Sequence, residues 1–303
     1  MRTIDVIGVP SSMGAFAPGQ ERAPAALRAA GLHERLGASG AIVRDHGDGE
    51  LRRWFPDREH LLAQHVEAVR DVALETARRV ADVDGDLTLV LGGDCTIELG
   101  TLAGLQARLG GRVGLVYFDL HADMNTPSTV LWGALDSMGM AHALGDDLAE
   151  PALAKAFERT PLLRPDELWL FGHGDGQDHE RERIATLGID RTPVEEVADD
   201  PVGSASRALS AFAGRVDRLA VHLDVDVIDL VDLPLQENVG RNEGLSFDAT
   251  MAALDTLLAH PAVASLTIGE LNPDHDPDGT AVPRFVDGLV EASAGRERTV
   301  ASS

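Results

Sequence analysis

Acidic residues and one imidazole recur at two-residue spacing in two places along the chain. Asp119, His121 and Asp123 form a D-x-H-x-D run, and Asp224 and Asp226 form D-x-D. On extended backbone, residues two apart point to one face, so each set would present its side chains together. Four carboxylates in one pocket repel and would be forced to protonate. Divalent cations remove that cost. A hard, oxygen-rich donor set with one imidazole suits Mn²⁺ or a similar ion, and two cations use four bridging-capable carboxylates better than one. A single D-x-D at a strand end is ordinarily a turn or a helix cap. The metal reading rests on both motifs occurring together with Gly92-Gly93-Asp94-Cys95-Thr96.

The elements around these residues point to one kind of scaffold. Short β-branched runs occur at 4–10, 87–93, 113–120, 167–173, 219–227 and 263–271. Four of them are nearly continuous apolar stretches, as expected of strands buried on both faces. Segments rich in Ala, Leu, Glu and Arg alternate with them at 22–36, 58–82, 97–109, 204–213, 246–260 and 283–294, and read as helices. Ser246 stands where an N-cap is expected. Alternation of this kind implies an α/β fold, a parallel sheet with helices on both faces. In such sheets ligands bind at the carboxyl ends of the strands. The acidic motifs, Gly92–Thr96 and Gly269-Glu270-Leu271-Asn272-Pro273 all follow or close an apolar run. Gly/Pro-rich stretches at 10–20, 125–135 and 232–244 read as long loops, which in a compact domain are usually functional. One domain over 1–303 is expected, with a frayed polar tail at about 295–303.

Composition removes whole classes of function. The chain has 303 residues and one cysteine, Cys95, so a disulfide scaffold, a zinc finger and an iron–sulfur cluster are excluded. Its net charge of −24 argues against nucleic acid and against anionic membrane surfaces. No apolar run approaches the length of a membrane span and no signal peptide is visible, so a cytoplasmic protein is expected.

The motifs together resemble the ureohydrolase family of arginase, agmatinase and formiminoglutamase. The resemblance runs through IGVPSSMGAFAPGQERAPAALRAAGL (7–32), GGDCT (92–96), DLHADMNTP (119–127), HLDVDVID (222–229) and GELNP (269–273), and so spans almost the whole chain. It implies a three-layer α/β/α domain with a mostly parallel central sheet, in a homo-oligomer, often a trimer or hexamer. It also implies a binuclear Mn²⁺ centre whose bridging hydroxide attacks a guanidino carbon, releasing urea and an amine. By the same resemblance, Asp119 and Asp224 are bridging ligands, His121 and Asp226 bind one metal, and Asp123 binds the other. Glu270 pairs with the guanidinium, and Asn125 and Glu180 line the substrate site.

The chain also departs from that family. Where the family reads G-G-D-H, with the His a ligand of the first metal, this chain has Cys95. A thiolate there tilts the first site toward Zn²⁺ or Fe²⁺, or leaves it weakly filled; the alternative is a small buried residue. A branch acting on hydroxyarginine is similar in carrying Cys at this place. Arginases read S-G-N-x-H-G in the loop after the metal motif, where this chain reads Trp132-Gly133-Ala134-Leu135-Asp136-Ser137. Asp136 stands in place of a proton-transferring His. It is open to three readings: proton transfer, contact with a second cationic group, or a cap for the helix near Ser137. His142, six residues on, is a second candidate for proton transfer. Gln177 stands where arginases carry an acid for the α-amino group. The expectation is therefore a metal-dependent hydrolase of a small guanidino compound other than plain arginine. The rivals are a related amide hydrolase, against which the lack of a His-His pair counts, and a metal-binding relative that has lost catalysis.

Overall fold

The computed structural model describes residues 1–174, 176–237 and 243–294. Eight strands form one sheet: β1 (Thr3–Gly8), β2 (Ile42–Asp48), β3 (Leu87–Leu91), β4 (Val113–Phe118), β5 (Leu168–His173), β6 (Asp190–Pro193), β7 (Arg218–Asp224) and β8 (Val263–Gly269). Every pairing is parallel, in the order β2-β1-β3-β8-β7-β4-β5-β6. All six apolar runs are strands. The two that the apolar pattern missed, β2 and β6, are the edges. β2 has no fully buried position and β6 is four residues ending in Pro193; neither presents the double-sided burial that makes a strand visible in sequence.

Alternate strand residues feed two cores, as the period of two requires. Ile4, Val6, Leu87, Leu89, Val116 and Phe118 face one layer, packed by helices Leu32–Ala38, Pro201–Ala211, Phe247–Ala259 and Ala281–Ala294. Ile7, Val90, Leu115 and Tyr117 face the other, under Val66–Ala81 and Ile97–Leu109. This is the expected α/β/α sandwich. The helix expected at 22–36 is broken at Gly31, whose φ of 82° lies in the left-handed region, into Ala23–Ala29 and Leu32–Ala38. Of 58–82 only Val66–Ala81 is helical. The preceding turn is held by the Asp57 carboxylate, which accepts the amides of Glu59 and His60. Ser246 does cap its helix, accepting the Ala249 amide at 3.2 Å. Part of the 232–244 loop and the tail at about 295–303 lie outside the described residues. No helix among the described residues is long and apolar enough to cross a membrane.

The four adjacent strands β3, β8, β7 and β4 are the most deeply buried. Their carboxyl ends lie side by side, where the connections turn from one half of the sheet to the other. That is the place a parallel sheet offers to a ligand.

Candidate metal centre and active site

β4 ends at Phe118, so the first acidic motif lies on a turn and not on extended backbone, whereas Asp224 closes β7 on extended backbone and Asp226 stands in the turn that follows. Their side chains converge by another route. One oxygen of Asp119 accepts the His121 amide at 2.7 Å, and one oxygen of Asp224 accepts the Asp226 amide at 2.7 Å. These are Asx-type turns, so the turn and cluster readings hold at once. The second oxygens face inward: Asp119 Oδ2 and Asp224 Oδ2 lie 3.9 and 3.2 Å from Cys95 Sγ. His121 Nδ1 lies 3.0 Å from Asp226 Oδ2 and 3.5 Å from Asp119 Oδ1. Asp123 sits at a φ of 48° and receives the hydroxyl of Tyr117, the chain's one tyrosine. Glu270 sits at a φ of 59°. Left-handed backbone at two non-glycine residues of one site is strain of the kind that accumulates where function demands a fixed geometry.

Asp119, Asp123, Asp224, Asp226 and Glu270 are all buried, and no Lys or Arg is buried among the described residues. Burial first, then Asp226 and Asp119, push the Asp224 carboxyl well above the usual range. Burial and Asp119 do the same to Asp123. Burial would lower His121, but Asp226 and Asp119 outweigh it and raise the imidazole well above its ordinary value. A cluster this acidic, with five carboxylates against the His121 imidazole, fits an external positive charge. The donor atoms of Asp119, His121 and Asp226 lie within 4.8 Å of one another, as do those of Cys95, Asp119 and His222. The chemistry and spacing of the donors therefore fit two divalent cations sharing Asp119.

Glu270 is held from two sides. Its Oε1 accepts the Cys95 amide at 2.8 Å, and its Oε2 accepts Gln20 Nε2 at 3.0 Å. Burial, then Asp136 and Asp94, raise its carboxyl well above the usual range. Asp94 fixes the neighbouring loops: it accepts the amides of Gly14 at 2.9 Å and Thr96 at 3.1 Å, and the Thr96 hydroxyl. Gly93, at a φ of 111°, cannot carry a side chain, because a Cβ would meet Ile97 and the Val9 carbonyl.

A cavity of about 440 Å³ opens above this floor. Asn125, Trp132, Asp136, Gln177 and Glu180 all line it, with Cys95, His121, Asp123, Asp224, Asp226 and Glu270 below. Trp132 is 46% exposed at the mouth. Glu180 is partly committed to structure, accepting the amides of Met124 and Gln177. Asn125 Oδ1 is bonded to His179 Nε2 at 2.8 Å and to Thr129. The cap reading of Asp136 does not hold. Leu135 is the N-cap residue, and Asp136 accepts the amide of Ser137 within the first turn. Burial, then Asp94, push the Asp136 carboxyl up to about 8. His142 is not at the site. Its Nδ1 donates to the Met138 carbonyl at 2.7 Å and its Nε2 accepts the Glu150 amide at 3.2 Å. Gln20, Tyr117, Glu98 and His222 are not singled out by the sequence, although Gln20 lies within the segment 7–32 and His222 is the first residue of HLDVDVID.

The arginase-family model matches residues 2–287. Arginase from Bacillus caldovelox is 31% identical over 283 residues, covering 90% of this chain and 92% of that protein. Arginase-1 of Homo sapiens is 29% identical over 295 residues, covering 95% and 91%. The crystal structure of arginase from Bacillus subtilis superposes with a TM-score of 0.84 at 26% identity, covering 96% of this chain and 98% of that one.

Proposed function

This chain belongs to the arginase family, and on that premise we propose that it hydrolyses a small guanidino compound to urea and an amine with the help of two divalent cations. The observation that carries the reading is the ring of buried carboxylates, with no buried Lys or Arg among the described residues, set under a cavity with Glu270 on its wall. Asp119, His121, Asp123, Asp224 and Asp226 would hold the cations. Mn²⁺ suits the subsite of His121 and Asp226. When bound, the cations supply a nucleophile at neutral pH by lowering the pKa of water.

The residues of the chain supply the rest. Glu270 retains unused lone pairs beyond the Cys95 and Gln20 contacts, and a carboxylate accepts from a planar guanidinium through charge-assisted hydrogen bonds. As water adds at the guanidino carbon, the bond to the alkylated nitrogen breaks and that nitrogen needs a proton. Asp136 supports the role of donor: it lines the same cavity, and its carboxyl is pushed up to about 8, so it carries a proton near neutral pH.

Arginine is not the preferred substrate in this reading, although relatives at about 30% identity carry the name arginase. Trp132, Ala134 and Gln177 stand where the resemblance places polar partners for the α-carboxylate and α-amino groups. Each unpaired polar group costs roughly 1–3 kcal/mol, so two such losses lower kcat/KM roughly a hundredfold or more. A guanidino compound with an apolar or modified tail fits better, with Trp132 as a flat wall. We further propose a single domain, a trimer or hexamer, and a cytoplasmic location. Steady-state urea release from arginine, agmatine, guanidinobutanoate and hydroxyarginine tests the substrate. Arginine as the best of these would overturn the tail argument; no urea from any guanidino compound would overturn the function.

A further inference from the structure

We infer that this chain builds its first metal subsite from Cys95 and His222 together, with Glu98 as the positioning carboxylate. That makes a sulfur–nitrogen subsite for Zn²⁺ or Co²⁺ beside an oxygen-rich subsite for Mn²⁺. The inference rests on the metal-centre reading above and goes beyond it by adding His222, which the proposed ligand set of Asp119, His121, Asp123, Asp224 and Asp226 does not include.

His222 and Asp224 are two apart on β7 and so face the same way. His222 is wholly buried, with Nε2 3.4 Å from Cys95 Sγ. Cys95 Sγ is in turn 3.2 Å from Asp224 Oδ2 and 3.9 Å from Asp119 Oδ2. Donors about 2.0–2.3 Å from a tetrahedral cation lie roughly 3.3–3.7 Å from one another; the three distances from Sγ bracket that range, and the donor atoms of Cys95, Asp119 and His222 all lie within 4.8 Å of one another. The other ring nitrogen, Nδ1, lies 3.4 Å from Glu98 Oε2. Glu98 is fully buried, and neither its oxygens nor His222 Nδ1 has a hydrogen-bond partner, so each is the nearest group of opposite polarity that the other has to turn to. A buried carboxylate behind Nδ1 favours the proton on that nitrogen and leaves the Nε2 lone pair facing Cys95. Metal-ligating histidines are oriented in the same way.

The ring is further fixed by Tyr117, stacked at 4.6 Å between centroids and 11° between planes. Space for it depends on Gly269, where a Cβ would lie 3.0 Å from His222 Cε1 and 3.2 Å from Nε2. A thiolate and an imidazole prefer Zn²⁺ or Co²⁺ to Mn²⁺, whereas the His121–Asp226 side keeps the harder donor set.

The test is anaerobic titration of chelator-stripped full-length protein with Co²⁺, then Mn²⁺, reading near-ultraviolet thiolate-to-Co²⁺ charge-transfer absorption and the Mn²⁺ resonance spectrum. The expected result is a charge-transfer band in the parent and none in Cys95→Ser. His222→Asn and Glu98→Gln should weaken Co²⁺ binding roughly 10- to 100-fold. Mn²⁺ should bind at the other subsite in all of them. Thermal melts establish that each variant is folded, and Glu98→Gln carries the test if His222→Asn does not fold. A parent without the band that still binds Mn²⁺ overturns this inference and leaves the metal centre standing; so does a band that His222→Asn and Glu98→Gln leave unchanged. A parent that binds neither cation overturns the metal-centre reading itself.

Discussion

The floor of the cavity and its mouth are built by opposite means. The floor consists of side chains on the ends of four adjacent buried strands, each with at least one backbone or side-chain partner fixing its direction. The mouth consists of loops, with Phe16 and Trp132 both about half exposed. A floor so constrained tolerates little change, because moving one donor exposes the repulsion of the others. A mouth so lightly held is free to vary, and Trp132 and Gln177 depart there from the arginase pattern, as Ala134 and Asp136 do just beneath it; on the floor the departure is Cys95. In this chain, chemistry and substrate choice are carried by regions of different rigidity.

The contrast breaks if floor and mouth variants behave alike. The largest effect is expected for Asp224→Ala. Loss of several kcal/mol of charge stabilisation should lower urea release at least about a thousandfold, measured at saturating Mn²⁺. Next comes Glu270→Gln. Hydrogen bonds to a charged partner contribute about 1.5–3 kcal/mol, so kcat/KM should fall roughly ten- to a hundredfold. Metal content should stay unchanged, as elemental analysis will show.

His142 sharpens the comparison from beneath the floor. Its helix donates the amides of Met140 and Ala141 to the Asp123 carbonyl. Burial pushes its imidazole down to about 4, although its bond to the Met138 carbonyl opposes the shift. An imidazole in the unfolded chain titrates near about 6.5. Between those values the unfolded chain binds the proton and the fold does not. Stability from this group is therefore present above about 6.5 and is lost as pH falls toward 4. Denaturant unfolding at pH 7 and pH 5 should show a fall of about 2 kcal/mol that His142→Gln lacks. The smallest effect is expected at the mouth. Trp132→Ala should raise KM about fivefold for a substrate with an apolar tail, about 1 kcal/mol of lost contact, with kcat little changed.

The same division governs what the sequence makes legible. The central strands are visible because burial on both faces leaves continuous apolar runs such as VGLVYF (113–118). β2, with Arg44, Asp45 and His46 along its edge, leaves none. The helix break at Gly31 is hidden because residues rich in helix-forming propensity, Ala, Leu, Glu and Arg, continue on both sides of it. Within the site, Asp119, His121, Asp123, Asp224 and Asp226 stand out by residue type and spacing. Gln20 and His222 do not, since each acquires meaning only from a neighbour far away in the chain. Gln20 meets Glu270 across 250 residues, and His222 meets Cys95 across 127. No local pattern encodes a contact of that kind.

The central claim is that the buried carboxylates at the strand ends hold divalent cations. Elemental analysis of total bound divalent metal in the folded parent and in folded Asp119→Ala tests it most directly. The account predicts about two cations per chain in the parent and nearly none in Asp119→Ala, because Asp119 is shared by both subsites. An Asp119→Ala protein that retains as much metal as the parent would contradict it.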